Sequence, residues 1–259
     1  MTPSLAAKLR SGATVITGWN IWPEPLLAEI AARSGFDAVT MDMQHGLHDP
    51  VSVMRAIGAC HLGGKPAAVR VPVGDNGMVS RALDMGAEAV IAPMVNSAAE
   101  AEAFVQAAKY PPAGERSWGP LRGQTVFGLD TDAHLKMANE GTLALAMGET
   151  KRGIEALDEI LAVKGLDGIF VGPSDLSVTI TGGDRVAPGD PLVDEPVRII
   201  ARKTKAAGKL LGAFTWAASR AQFFADLGYQ FIALGTDQAY FQAGIQKMLS
   251  DRGEEKRVT

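Results

Sequence analysis

Residues 77–93 read Gly-Met-Val-Ser-Arg-Ala-Leu-Asp-Met-Gly-Ala-Glu-Ala-Val-Ile-Ala-Pro. The spacing predicts a helix over 77–85, stopped by Gly86. A short run, Ala89–Ala92, follows and is apolar on both faces, as parallel strands covered by helices require. Pro93 closes it. The same punctuation recurs as Gly35-Phe36-Asp37-Ala38, Gly165-Leu166-Asp167-Gly168 and Gly228-Tyr229-Gln230-Phe231. Each marks a turn from helix to strand. Strands are expected at 14–17, 38–42, 67–70, 89–92, 143–147, 168–171, 210–213 and 231–234. Helices are expected at 24–33, 50–62, 77–85, 98–109, 150–163, 191–207, 219–227 and 237–249, with Asp49 and Ser97 as N-caps. Two longer connections remain, 110–128 and 179–190, and connections of that length commonly serve a site or an interface.

Eight strand–helix units in 259 residues predict an α/β fold, a (β/α)8 barrel spanning 1–259 as one domain. A doubly wound open sheet competes, but eight units leave no remainder for a second domain. With 47% apolar and 21% charged residues, the chain is not of disordered composition. A net charge of −4 offers nucleic acid no basic surface. No apolar run reaches the roughly 18 residues of a membrane span. One cysteine, Cys60, excludes a disulfide framework or a multi-thiolate zinc site and suits the cytoplasm.

A barrel carries its chemistry at the C-terminal ends of its strands. Those positions deliver Trp19, Asn20, Asp42, Gln44, His45, Arg70, Pro93, Glu149, the run Gly172-Pro173-Ser174-Asp175, Thr215, Trp216 and Thr236. Glu149 and Asp175, on adjacent strands, are two hard oxygen ligands suited to Mg2+ or Mn2+; alternatively, each caps the helix that follows. His45 suits proton transfer near neutrality, or is a structural hydrogen-bonder. Arg70 at the mouth needs an anion, either a developing oxyanion or a neighbouring carboxylate such as Asp42. The run 172–175 opens a helix whose free N–H groups attract a carboxylate. Lys65 and Lys209 precede their strands, at the wrong end for a Schiff base, and only Lys151 lies near the mouth.

The segments Asp42-Met43-Gln44-His45, Val69-Arg70-Val71, Ala87–Val95, Tyr110–Pro120, Glu149-Thr150 and Val171–Leu176 together resemble the HpcH/HpaI aldolase family, in order along nearly the whole chain. The resemblance implies a class II, divalent-metal-dependent aldolase cleaving 4-hydroxy-2-oxo acids to a 2-oxo acid and an aldehyde. It implies His45 as base, Arg70 as enolate stabiliser, and Asp84 as the acid that raises the basicity of His45. Glu149 and Asp175 become metal ligands; Mg2+ or Mn2+ leads, with Co2+, Ni2+ or Zn2+ also accommodated. Gly172, Pro173, Ser174 and Asp175 become the substrate-carboxylate site. Gln44 and Met147 depart from the heptanedioate-cleaving branch and resemble the branch that accepts hydroxypyruvate or pyruvate with assorted short aldehydes. Related barrels cleave citryl-type esters or decarboxylate oxo acids, and a non-catalytic oxo-acid-binding protein is a third reading. The terminal helix, about 237–252, is expected to pack on a neighbouring subunit in a homo-oligomer, a hexamer in this family.

Overall fold

The computed structural model describes residues 4–255; residues 1–3 and 256–259 of the expected 1–259 barrel lie outside the described residues. The strands are β1 (Val15–Asn20), β2 (Ala38–Asp42), β3 (Ala67–Arg70), β4 (Ala89–Ala92), β5 (Leu143–Gly148), β6 (Gly168–Val171), β7 (Leu210–Thr215) and β8 (Phe231–Leu234). They pair in sequence order, all parallel, and β8 closes on β1. This is the (β/α)8 barrel expected.

The helices are α1 (Leu5–Arg10), α2 (Pro25–Arg33), α3 (Pro50–Leu62), α4 (Asn76–Asp84), α5 (Ala98–Ala108), α6 (Leu121–Phe127) and α7 (Thr131–Gly141). Then follow α8 (Lys151–Glu155), α9 (Leu157–Ala162), α10 (Pro173–Ile180), α11 (Pro191–Ala206), α12 (Ala218–Asp226) and α13 (Asp237–Glu255). Asp49 and Ser97 cap α3 and α5 as expected. The helix expected over 150–163 breaks at Ala156 into α8 and α9. The connection 110–128 contains α6, and α7 follows it unforeseen. Among the described residues no helix is long and apolar enough to cross a membrane.

The barrel interior is filled unevenly. Trp19, Phe170 and Phe231 meet small neighbours Ala38, Ala68 and Ala89, with Leu143, Leu145 and Met147 between. A side chain at Gly212 would meet the Phe170 ring at 2.5 Å, so this glycine is where the ring fits. The lower end is stoppered by α1, whose Leu5 and Leu9 are completely buried in the interior cluster.

The recurring turn also has a physical explanation. Gly35, Gly86, Gly165 and Gly228 all take positive φ, which favours glycine. The third residue of each turn ties down the barrel floor. Asp37 accepts the Ile16 N–H (3.0 Å), Glu88 the Leu5 N–H (2.7 Å) and Asp167 the Ala144 N–H (2.8 Å). Gln230 donates to the Leu9 carbonyl (3.0 Å). Asp167 also pairs with Arg10 (3.0 Å) and Lys109 (2.7 Å).

At the other terminus α13 begins on the barrel and then leaves it. Asp237 accepts the N–H groups of Ile21 and Trp22, and Phe241 meets Trp22 edge-on at 6.0 Å. Beyond Tyr240 every residue through Ser250 is exposed, Ile245, Met248 and Leu249 included.

The stopper generates a test. Leu9→Ala is expected to cost about 2–5 kcal/mol, the range for emptying a well-packed leucine site. Urea unfolding measures it, and a cost below about 1 kcal/mol would show that α1 is not part of the core.

Candidate active site

A cavity of about 260 Å3 opens at the C-terminal ends of the strands. His45, Arg70, Met147, Gly172, Pro173, Ser174 and Asp175 all line it, together with Asp42 and Trp19. A larger cavity, about 540 Å3, lies at the opposite end beside α1 and holds Ser4, Glu88 and Phe127. It gathers none of the residues expected at the site.

The best-determined group is Asp42, the last residue of β2. Arg70, the last residue of β3, donates to it through two nitrogens, Nε at 2.9 Å and Nη2 at 2.5 Å. Trp19 donates its Nε1–H (3.2 Å), and the N–H groups of Gln44 (3.0 Å) and His45 (3.3 Å) point at the same carboxylate. Burial alone would push the Asp42 carboxyl up; the Arg70 hydrogen bond and charge outweigh it and hold the pKa below the ordinary range. The guanidinium also lies 5.0 Å from the centre of the Trp19 ring. Arg70 therefore makes the expected pair with Asp42 and lines the cavity as well. Its Nη1 has no hydrogen bond among the described residues. The His45 ring stands exposed at the mouth, likewise without a hydrogen bond among the described residues.

Glu149 and Asp175 meet the second expectation in an informative way, because neither caps its helix. Thr150 caps α8, its hydroxyl accepting the Gly153 N–H (2.9 Å). At α10 the N-cap is Gly172, with no side-chain cap. Glu149 is buried; its Oε1 accepts the Met94 N–H (2.7 Å), while Oε2 is buried with no partner. Burial pushes its pKa up to about 7, the Asp175 charge adds to this, and Met94 and Arg70 offset it only in part. Met94 adopts φ 57, a costly backbone for a side-chain-bearing residue. The strain falls where the N–H must reach Glu149.

An unpartnered buried carboxylate oxygen beside a second carboxylate fits a divalent cation. No group of three or more His, Cys, Asp or Glu able to hold a metal occurs among the described residues. A cation held here would have two protein carboxylates and would complete its shell with water or substrate, which suits an open oxygen-ligand site better than a closed zinc site. Beside it, Ser174 and Asp175 begin α10 after Pro173, and their N–H groups have no capping side chain. Free N–H groups at a helix start are suited to an anionic group.

Two expectations are not met within the single chain. Asp84 is not brought to His45 within the chain. It ends α4, which runs from the catalytic rim toward the barrel floor, and it pairs with Arg116 at 2.5 Å. The acid beside His45 is Asp42. Gln44 does not line the cavity; its Oε1 is buried without a partner, whereas Met147 is on the wall. Unforeseen wall residues are Ile21, Phe170, Phe214 and Gln238. The first lies one residue beyond β1, which runs past the expected end at 17, and Phe214 lies on β7, which runs past the expected end at 213.

Fold and rim together describe a lyase built on a parallel barrel. A family model described as HpcH/HpaI aldolase/citrate lyase matches residues 19–243, and the chain belongs to that family of enzymes. It is 35% identical over 240 residues to a hydroxypyruvate/pyruvate aldolase of Rhizorhabdus wittichii, covering 93% of this chain and 94% of that one. A 2-keto-3-deoxy-L-rhamnonate aldolase of Escherichia coli is 30% identical, covering 96% and 93%. The solved HpcH/HpaI aldolase of Desulfitobacterium hafniense superposes with a TM-score of 0.87 at 29% identity, covering 98% of each chain.

One glycine exposes the geometry to test. A Cβ at Gly172 would lie 2.3 Å from Glu149 Oε2 and 2.8 Å from Met147 Cε. Gly172→Ala is expected to displace the Glu149 carboxylate while the barrel stays folded. Mn2+ affinity, read by calorimetry, should fall by roughly 10- to 100-fold, as for lost support of a metal ligand. Unchanged affinity would remove Glu149 from the cation site.

Proposed function

We propose that this enzyme is a divalent-cation-assisted aldolase that reversibly cleaves 4-hydroxy-2-oxo acids to pyruvate or hydroxypyruvate and an aldehyde. The observation that carries this reading is the Glu149–Asp175 pair, with its unpartnered buried oxygen, set beside the free amides of α10. Among the described residues no lysine lines the cavity, which leaves a Schiff-base route without an amine there. The names of the relatives from Rhizorhabdus wittichii and Escherichia coli support the same chemistry.

Glu149 and Asp175 hold the cation, and the N–H groups of Ser174 and Asp175 orient the carboxylate of the oxo acid. When bound, a divalent cation polarises the keto and carboxylate oxygens as a Lewis acid. In cleavage the His45 ring accepts the C4 hydroxyl proton, the C3–C4 bond breaks, and the aldehyde departs. The electron pair remains on the donor as an enolate, which is then protonated at C3. Arg70 Nη1 faces the oxygen that gains charge, and Asp42 fixes the guanidinium for that moment. Met147 gives the donor side of the cavity an apolar wall, which leaves room for hydroxypyruvate as well as pyruvate.

The enzyme works as a homo-oligomer, a hexamer by the family resemblance. The exposed apolar residues of α13, with Leu121 and Trp118 on the 110–128 connection, form apolar surface that a second copy covers. A cytoplasmic setting suits the free, buried Cys60, whose thiol burial pushes up to about 12.

Two measurements test the reading. EDTA should abolish aldol cleavage and Mn2+ or Mg2+ restore it, and Arg70→Lys should lose roughly 10²–10³ in kcat while folded, since an ammonium cannot replace the planar fork. EDTA-insensitive turnover with a borohydride-trapped pyruvate adduct would overturn it. Light scattering at micromolar protein should give a multiple of the 27.2 kDa chain mass; a monomer would contradict the assembly.

A further inference from the structure

The cavity is chemically divided. Met147, Gly172, Ser174 and Asp175 form one part of the lining, and a wall of three aromatic rings, Trp19, Phe214 and Trp216, adjoins it, with Pro173 beside Phe214 and Trp216. Trp19 is 2% exposed and fixed, its ring 5.7 Å from Phe170 and 5.5 Å, edge-on, from Phe214. Phe214 in turn meets Trp216 edge-on at 4.9 Å. Trp216 is 56% exposed, so an indole face stands open at the outer rim. The polar residues next to this wall, Thr236 and Gln238, are uncharged.

Positive charge is scarce along that wall. Arg70 is the sole arginine or lysine lining the cavity, and two of its nitrogens are spent on Asp42. The next guanidinium, Arg220, lines a separate small cavity behind Phe214 and Trp216. It pairs with Asp194 at 2.7 Å and stacks on Phe223 at 4.0 Å. A carboxylate entering along the aromatic wall would lose water and find no cation.

On the aldolase reading, on which this inference rests, the donor occupies the Ser174–Asp175 part of the lining, and the aldehyde meets the part that the donor leaves open. We infer that Trp19, Phe214 and Trp216 form the acceptor subsite and select uncharged apolar aldehydes, aromatic ones above all. His45 takes a proton from donor C3 to give the enolate, C3 then bonds to the aldehyde carbonyl carbon, and the carbonyl oxygen takes that proton from His45 to become the C4 hydroxyl. The aldehyde's ring lies against Trp216 in the offset or edge-on contacts that aromatic pairs prefer.

The test uses the full-length enzyme with Mn2+ and pyruvate. Benzaldehyde, glycolaldehyde and succinic semialdehyde are the acceptors, and product formation is followed by NMR. The wild type should favour benzaldehyde in kcat/KM over each of the others by about tenfold or more. Trp216→Ala should cut the benzaldehyde-to-glycolaldehyde ratio by about tenfold, and Trp216→Phe should keep most of it. Succinic semialdehyde matching benzaldehyde, or a ratio unmoved in Trp216→Ala, would overturn the acceptor assignment. Deuterium exchange at pyruvate C3 needs no aldehyde and separates the two failures. Exchange and addition without apolar preference sink this inference alone; no exchange and no addition sink the aldolase reading with it.

Discussion

One carboxylate holds the catalytic rim together. Asp42 receives two nitrogens of Arg70, the indole N–H of Trp19 and the backbone N–H groups of Gln44 and His45. Three neighbouring strands and the histidine loop thus converge on a single anion. A buried ion pair is a weak argument for stability, because desolvation offsets most of its attraction. Its worth here is positional. With Nε and Nη2 occupied, the guanidinium is held in place, and Nη1 is left without a hydrogen bond among the described residues on a side chain that lines the cavity. Pairing with Asp42 and serving the substrate are two uses of the same side chain, not competing explanations of it.

The two ends of the barrel are finished differently. At the floor, the acidic residues of the recurring turns each accept a backbone N–H, and Asp167 carries two cations besides. At the rim, Glu149 Oε2 is buried without a partner, Met94 is held in a left-handed backbone, and α10 starts with no side-chain cap. Native proteins satisfy nearly all their buried polar groups. Unpartnered buried polar atoms also occur away from the rim, at Tyr110, Arg116, His134 and Thr204; what sets Glu149 apart is that its free oxygen lies near a second carboxylate, Asp175.

Most of the strands were legible because a fully buried parallel strand is a short apolar run between punctuation marks, and Ala38–Asp42, Ala67–Arg70 and Gly168–Val171 carry both signals. The rim residues were legible because charge at the end of an apolar run is conspicuous. What escaped the sequence has physical causes. Helix α1 is six residues long and stable only by inserting Leu5 and Leu9 into the barrel, which periodicity cannot show. Phe214 is apolar in an apolar strand, so nothing in its own neighbourhood says whether it faces the core or the cavity mouth. Asp84 was assigned by resemblance alone, and the course of α4 takes it to the floor.

On the proposed reading, the arrangement separates the choice of donor from the choice of acceptor. The oxo-acid side is built by β5, β6 and the start of α10, where backbone amides and two carboxylates leave little latitude: even a methyl at Gly172 collides with Glu149. The adjoining aromatic wall is built by side chains of β1 and β7 and by the residues just past them, where Trp216 packs on one ring and is 56% exposed. Trp216 connects to the Asp42 hub through the Phe214 and Trp19 rings, not through a hydrogen bond of its own among the described residues. A closed barrel that fixes its reacting groups through strand ends, and meets the second substrate with a rim side chain, can therefore change aldehydes without rebuilding its chemistry.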